Sequence, residues 1–146
     1  MTLQIRNLLP SDKAAWSELW RKYLEFYETE LAEEVYDSSF KRMLSDSDTE
    51  FHGMVAEKDG ELIGIVHYLF HRHGWKIENV CYLQDLYVSE AARGSGAGRA
   101  LIEAVYAEAD KNGAPSVYWM TQEFNATARR LYDRIATVTP FIKYTR

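Results

Sequence analysis

The sequence contains little of what stabilises secreted proteins or anchors proteins in membranes. Cys81 is the only cysteine among the 146 residues, so an internal disulfide is impossible and cysteine-rich metal sites are excluded. No uninterrupted apolar run approaches the length of a membrane span, and the first residues lack the apolar core of a signal peptide. Low-complexity tracts and internal repeats are also missing. We therefore expect a soluble, cytoplasmic protein.

The composition is that of one globular domain. Hydrophobic residues make up 47% of the chain and aromatic residues 14%, which is enough apolar surface for a real core. No linker divides the sequence, so we expect a single domain over residues 1–146. The net charge of −5 argues against nucleic-acid and membrane partners and slightly favours a cationic substrate.

Three glycines stand close together in the segment from Arg93 to Leu101. Glycines let a backbone turn sharply and approach a ligand, and the start of the following helix attracts anions. A dinucleotide fingerprint begun at Gly94 needs a glycine at position 99, and a Walker loop needs Gly-Lys-Ser/Thr where Arg99-Ala100 stand. The remaining pattern, Arg-x-x-Gly-x-Gly, predicts a phosphate cradle, although a tight turn without a ligand has the same local signature.

Hydrophobic periodicity predicts a mixed sheet flanked by helices. A strand-helix-strand unit surrounds the cradle, so those two strands should be parallel, whereas the Asp59-Gly60 pair predicts an antiparallel hairpin. The expected strands lie at residues 2–7, 51–57, 62–70, 80–88, 116–120 and 139–144, and the expected helices lie at about 12–28, 38–44, 98–112 and 125–134. This is an α+β fold with a mostly antiparallel sheet of about six to seven strands and about four helices.

Three segments together resemble the GCN5-related N-acetyltransferase (GNAT) family over essentially the whole chain. They are the strand Tyr82-Leu83-Gln84-Asp85-Leu86-Tyr87-Val88, the glycine cradle, and Asn125-Ala126-Thr127-Ala128 with Leu131-Tyr132. Within the family, the phrases Pro115-Ser116-Val117-Tyr118-Trp119 and Asp85-Leu86-Tyr87-Val88 look most like the fungal histone-and-other-protein acetyltransferases and their D-amino-acid N-acetyltransferase relative. The diamine and spermidine/spermine N-acetyltransferases are more distant. The resemblance implies a GNAT-like fold with a splayed parallel strand pair at the cofactor site.

The resemblance also implies acetyl-CoA as co-substrate and direct attack of an amine on its thioester in a ternary complex. The backbone of Leu86, Tyr87 and Val88 is expected to line the pantetheine arm, and one of its N–H groups is expected to polarise the thioester carbonyl. The pyrophosphate is expected at Arg93, Gly94, Ser95, Gly96, Ala97, Gly98 and Arg99. Asn125 is expected to hydrogen-bond the cofactor arm, and it also has the sequence position of a helix N-cap.

Tyr132 follows Asn125 by seven residues, which places both side chains on one face of a helix two turns apart. By resemblance, this tyrosine protonates the departing thiolate. The alternative is a core tyrosine whose hydroxyl bonds to backbone.

The residue that deprotonates the amine is less certain from sequence. Gln84 stands where the polyamine enzymes of the family carry a glutamate, and glutamine cannot act as a base. Asp85 is the neighbouring carboxylate, but adjacent strand residues point to opposite faces, so it substitutes only if the strand has a bulge, a feature typical of the family. Asp85 is therefore a candidate base or amine-binding group, with a structural ion pair as the alternative. His67 is a further candidate, although a lone histidine on a strand is more often structural.

We expect Tyr27, Glu28 and Gln84 to contact the acceptor, a small amine such as an amino acid or polyamine, helped by acidic residues near the end of the first helix. The alternatives are a protein lysine or N-terminal amine as acceptor, and a non-catalytic acyl-CoA sensor. We expect no metal, because His71 and His73 lack a third ligand. Cys81 lacks the neighbouring histidine of a nucleophile. Relatives commonly dimerise, so we expect a homodimer, with the β-prone tail as a candidate contact.

Overall fold

A computed structural model describes residues 2–146, in which five strands form one mixed sheet in the order β1 to β5. The strands are β1 (Leu3–Asn7), β2 (His52–Lys58), β3 (Glu61–His71), β4 (Val80–Val88) and β5 (Val117–Tyr118). The first four are antiparallel neighbours, and β5 joins β4 in parallel. The α-helices within this range are α1 (Lys13–Phe26), α2 (Glu33–Met43), α3 (Ala97–Lys111) and α4 (Ala126–Ile135). None of the helices in residues 2–146 has the length and apolar character needed to cross a membrane.

Helices cover both faces of the sheet, and each face has its own core. Trp16 and Trp20 of α1 pack with Phe40 of α2 on one face, while Leu101 and Val105 of α3 pack on the other. Neighbouring residues of β3 alternate between the two cores, since successive strand side chains point to opposite faces. Both faces of β3 are therefore buried, which explains its nearly continuous apolar run.

Two turns have the backbone conformation that the sequence predicts. Asp59 and Gly60 both have positive φ values, 54° and 80°, as required of the two central residues of a type I′ hairpin turn. Gly113, with φ of 68°, follows α3 just beyond its end. Both turns lie where the sequence predicts them.

The expected α+β architecture with a mostly antiparallel mixed sheet is confirmed, with three differences in detail. The sheet has five strands instead of about six to seven, because residues 137–146 form coil and pair with no strand. The strand expected at 116–120 shortens to Val117–Tyr118. Helix α2 begins at Glu33 instead of Ser38, and Glu33 and Glu34 occupy its first turn, where the helix dipole favours acidic side chains.

Candidate active site

The glycine cradle joins β4 to α3 and presents unpaired backbone amides. Gly94 and Gly96 have φ values of 83° and 87°, and an added Cβ at either position would meet nothing within 4 Å. Glycine is thus required by the backbone conformation and not by crowding. Within residues 2–146, the amides of Gly94, Gly96, Gly98 and Arg99 donate to no backbone acceptor. Together with the N-terminus of α3, they form an open, anion-attracting surface.

The two cradle arginines differ in their surroundings. Arg93 donates weakly from Nε to the carbonyl of Val88, at 3.4 Å, and its guanidinium lies over the ring of Tyr87. Arg99 is exposed and lies 3.6 Å from Glu103, one helical turn further along α3. Such an exposed pair holds a side chain only weakly, so Arg99 remains available to a bound anion.

A β-bulge in β4 determines where Asp85 points. His67 pairs with Asp85 and Tyr68 pairs with Leu83, so Gln84 is the extra residue. Without this bulge Asp85 would share the face of Leu83, which packs in the α3 core. The bulge turns Asp85 to the α1 face, where it is only 9% exposed, and leaves Gln84 exposed.

Asp85 forms the outer end of a buried hydrogen-bond chain. Its Oδ2 lies 2.8 Å from His67 Nδ1, and Trp16 Nε1 donates to His67 Nε2, also over 2.8 Å. Burial alone would raise the pKa of Asp85, but interactions with His67, and with Tyr23 and Trp20, outweigh it and hold that pKa below its usual value. Asp85 is therefore a carboxylate at neutral pH.

Tyrosines connect Asp85 with α4. Tyr23 and Tyr27 of α1 pack with ring centroids 5.1 Å apart, and burial followed by the charge of Asp85 raises the pKa of both. Burial, with a smaller effect of Tyr27, raises the pKa of Tyr132 to about 12, so its hydroxyl keeps its proton at neutral pH. We call Tyr23, Tyr27 and Tyr132 the tyrosine wall. The anionic carboxylate of Asp85 lies at one end of it and the protonated phenol of Tyr132 at the other.

Strands β4 and β5 separate shortly after they pair. Parallel pairing covers only Cys81 with Val117 and Tyr82 with Tyr118, so Leu86, Tyr87 and Val88 continue along β4 without a partner on that side. An opening between parallel strands, beside a glycine cradle, is the arrangement implied by the motifs.

Comparison with known proteins identifies the family. The model of the acetyltransferase (GNAT) family matches residues 13–136. The chain belongs to the GNAT family. A D-amino-acid N-acetyltransferase of Saccharomyces cerevisiae is 40% identical over 144 residues, covering 97% of this chain and 89% of the yeast protein. An uncharacterized N-acetyltransferase of Bacillus subtilis is 30% identical over 132 residues, covering 90% and 87%.

Solved structures share the GNAT fold. The aminoglycoside N-acetyltransferase AAC(6')-Iy, bound to a CoA-containing bisubstrate analogue, superposes with a TM-score of 0.85 at 17% identity, covering 100% of this chain and 98% of that one. A ribosomal-protein-alanine N-acetyltransferase from Brucella melitensis has a TM-score of 0.81 at 18% identity, covering 100% and 99%. At such identities the comparison concerns the fold. The protein is thus a GNAT N-acetyltransferase, and this family uses acetyl-CoA.

The cradle and its neighbours fit that co-substrate. Pyrophosphate is an anion, and the free amides of Gly94, Gly96, Gly98 and Arg99 at the start of α3 are suited to it. Asn125 caps α4 by accepting from the amide of Ala128 at 3.3 Å, so its side-chain NH₂ group remains available. The cap is therefore compatible with a contact to the cofactor arm.

The expected acceptor residues do not all lie together. Tyr27 belongs to the tyrosine wall beside Tyr132 and Asp85. Glu28 instead lines a surface pocket at the end of α1, which is otherwise formed by Arg21, Glu25, Thr29, Glu30, Leu31, Glu33 and Tyr36. Gln84 is exposed because it is the bulged residue. Geometry thus favours Tyr27 as an acceptor contact over Glu28 and Gln84.

Sequence reasoning missed the partners of Asp85. The sequence offers His67 only as a lone candidate, and no local motif links His67 or Trp16 to Asp85. His71 donates to or accepts from the Tyr118 hydroxyl at 2.7 Å, and burial raises the pKa of the Cys81 thiol to about 12. Within residues 2–146, no group of three His, Cys, Asp or Glu side chains is arranged for a metal ion.

Proposed function

We propose that this enzyme transfers an acetyl group from acetyl-CoA to the primary amine of a small molecule, and that the acceptor is a free amino acid, including D-enantiomers. The observation that carries the proposal is the buried Asp85 carboxylate facing the tyrosine wall, opposite the protonated Tyr132. The yeast relative, named for D-amino acids, supports the same acceptor class.

The roles follow from the geometry. The amides of the cradle hold the pyrophosphate, and the free edge of β4 at Leu86, Tyr87 and Val88 receives the pantetheine arm. Acetyl-CoA supplies an activated acetyl group when bound. Asp85 pairs with the acceptor ammonium and takes one of its protons, which gives the nitrogen the lone pair with which it attacks the thioester carbonyl. Tyr132 donates its proton to the departing sulfur, and the second proton lost from the nitrogen restores the phenol through solvent. No covalent enzyme intermediate is required.

The pKa of Asp85 is held below its usual value, so the carboxylate is anionic at neutral pH and can pair with an acceptor ammonium. A carboxylate of low pKa is a weak base, so it suits an acceptor whose ammonium is more acidic than that of an alkylamine.

A thiol-release assay with acetyl-CoA and a panel of acceptors tests the proposal. The panel contains D- and L-forms of the same amino acids, spermidine, putrescine and lysine peptides. We expect the highest kcat/KM for free amino acids. Turnover confined to polyamines or to peptides would contradict the acceptor assignment, and tight CoA binding with no turnover would favour the sensor alternative.

We also propose that the enzyme is a homodimer. The tail carries exposed Phe141, Ile142 and Tyr144, with Phe141 82% exposed, and β5 has one unpaired edge. Light scattering after gel filtration should give a dimer mass for the natural chain and a monomer mass for a Phe141→Asp, Ile142→Asp variant. A monomer mass for the natural chain would contradict this proposal.

A further inference from the structure

Three buried side chains from three separate elements form a continuous hydrogen-bond chain. Trp16 of α1 is fully buried, His67 of β3 is 6% exposed and Asp85 of β4 is 9% exposed. The indole N–H of Trp16 can only donate, so His67 Nε2, which lies 2.8 Å away, must accept. The imidazole proton therefore resides on Nδ1 and is donated to Asp85 Oδ2.

We infer that Trp16 and His67 are positioning residues: Trp16 fixes His67 as the neutral Nδ1–H tautomer, so that Asp85 retains a net negative charge for the acceptor ammonium. This inference rests on the proposed acetylation of an amine at Asp85. It assigns a functional role to a tryptophan that otherwise belongs to the core, because a Trp16 side chain without its N–H would pack almost as well.

The reason lies in what a second proton on His67 would do. Protonated Nε2 would oppose the indole N–H, leaving one of two buried donors without an acceptor. The resulting imidazolium would also neutralise Asp85 as an ion pair, and the pocket would lose its attraction for a cation. The cost of an unpaired buried donor therefore opposes this protonation.

No cationic side chain in residues 2–146 sets the charge of Asp85 in place of His67. The pKa of Asp85 responds to burial, His67, Tyr23 and Trp20, and to no lysine or arginine. The other titratable groups facing the chain are phenols: Tyr23 and Tyr27 of α1, Tyr36 of α2 and Tyr82 of β4. Arg21 lies over the ring of Tyr36, 5.9 Å from its centroid. The charge at Asp85 thus depends on the protonation of His67.

Asp85 alone can accept the proton that leaves the acceptor ammonium. Oδ2 is occupied by the His67 N–H, which leaves Oδ1 to accept a proton from the acceptor ammonium. The N–H bond breaks as the O–H bond forms, the nitrogen retains its electron pair, and Asp85 becomes a neutral acid that still accepts from His67 at Oδ2. The proton then passes from Oδ1 to solvent.

Two measurements test the inference, and the first needs neither substrate nor activity. Long-range ¹H–¹⁵N NMR of the natural protein, with His67 assigned by its loss in His67→Gln, should show the Nδ1–H tautomer at pH 7. Trp16→Phe should show a larger fraction with a proton on both ring nitrogens at the same pH, because the indole N–H no longer opposes a proton on Nε2. An imidazolium or an Nε2–H tautomer in the natural protein at pH 7 would overturn the inference even if no acceptor were found.

The second measurement is the pH dependence of kcat/KM. Trp16→Phe should move the acid limb toward neutral pH, and the same change made in a His67→Gln background should move it no further. Phe40→Leu serves as the control because Phe40 packs 5.1 Å from Trp16 without bonding to His67. A merely structural Trp16 would instead lower the melting temperature and leave the acid limb in place, as expected for Phe40→Leu.

Discussion

Asp85→Asn separates the chemistry of this carboxylate from its structural contacts. Asparagine keeps the shape and can still accept from His67 Nδ1–H at 2.8 Å, but it has neither the charge nor the basicity of the carboxylate. A general base contributes about 10²- to 10⁴-fold, so kcat/KM at pH 7 should fall by about that factor, equivalent to about 3–5 kcal/mol. The melting temperature and the Kd for CoA should change little.

The size of the change in kcat/KM with pH identifies the loss of a base. A peptide α-amine has a pKa of ~8, and the α-amine of a free amino acid is more basic because of the neighbouring carboxylate, so less than about a tenth of it is neutral at pH 7. The Asp85→Asn variant can use only the neutral amine, so its kcat/KM should rise at least about tenfold from pH 7 to pH 9, more than that of the natural enzyme. Steady-state thiol release at fixed ionic strength gives both profiles.

Two companion variants complete the test. Asp85→Ala leaves the buried His67 N–H without an acceptor and should therefore lose about 1–3 kcal/mol of stability in addition to activity. Gln84→Ala changes the exposed neighbour and should leave kcat/KM within a few-fold of the natural value. If Asp85→Asn retained most of its activity at pH 7, or lost activity only in proportion to stability, the role of Asp85 as base would be refuted.

Three further predictions concern the cradle, the acid and the stability of the fold. Gly96→Ala puts a side chain on a residue with a φ of 87°, so calorimetry should show weaker CoA binding and a stability loss of about 1–2 kcal/mol. Gly60→Ala has similar strain in the distant hairpin and should lose stability without losing CoA affinity. Tyr132→Phe should lower kcat more than it raises the Kd for CoA; equal losses would contradict the proton-donor role. The hydrogen bonds from Arg6 lower the pKa of Asp12 in the folded state. The ionised Asp12 therefore stabilises the fold above pH 3.8, its usual pKa, and this contribution is lost as the pH falls through the folded-state pKa. The melting temperature of Asp12→Asn should depend less on pH between 4 and 2 than that of the natural protein, and an unchanged slope would contradict this.

Features of this enzyme that depend on local backbone conformation were readable from the sequence. The hairpin at Asp59-Gly60 and the cradle at Gly94 and Gly96 require positive φ, and glycine is the residue that adopts it without strain. The cap of α4 is similar, because Asn125 acts within three residues of its own position. Such signals identify the donor side of a GNAT protein even when the rest of the sequence has diverged.

Features that depend on strand register were not readable. Asp85 meets His67 because β3 pairs with β4 in one particular register, and both meet Trp16 because α1 crosses that face of the sheet. A sequence pattern of period two assigns Asp85 to the same face as Leu83, which is wrong once Gln84 is bulged. The sheet was also overestimated, since the β-propensity of residues 139–144 says nothing about whether a partner strand is available.

The same distinction explains why the acceptor is harder to assign than the donor. The proposed cofactor site uses amides that every residue carries, so the requirement on sequence is a few glycines, and proteins only 17% identical share the fold. The acceptor pocket depends instead on side chains whose direction is set by one extra residue in β4. Moving or removing that bulge would exchange Asp85 for a different side chain without disturbing the cradle. The bulge is therefore where a GNAT enzyme of this kind can change its acceptor while keeping its donor, if Asp85, His67 and Trp16 act on the acceptor side as proposed.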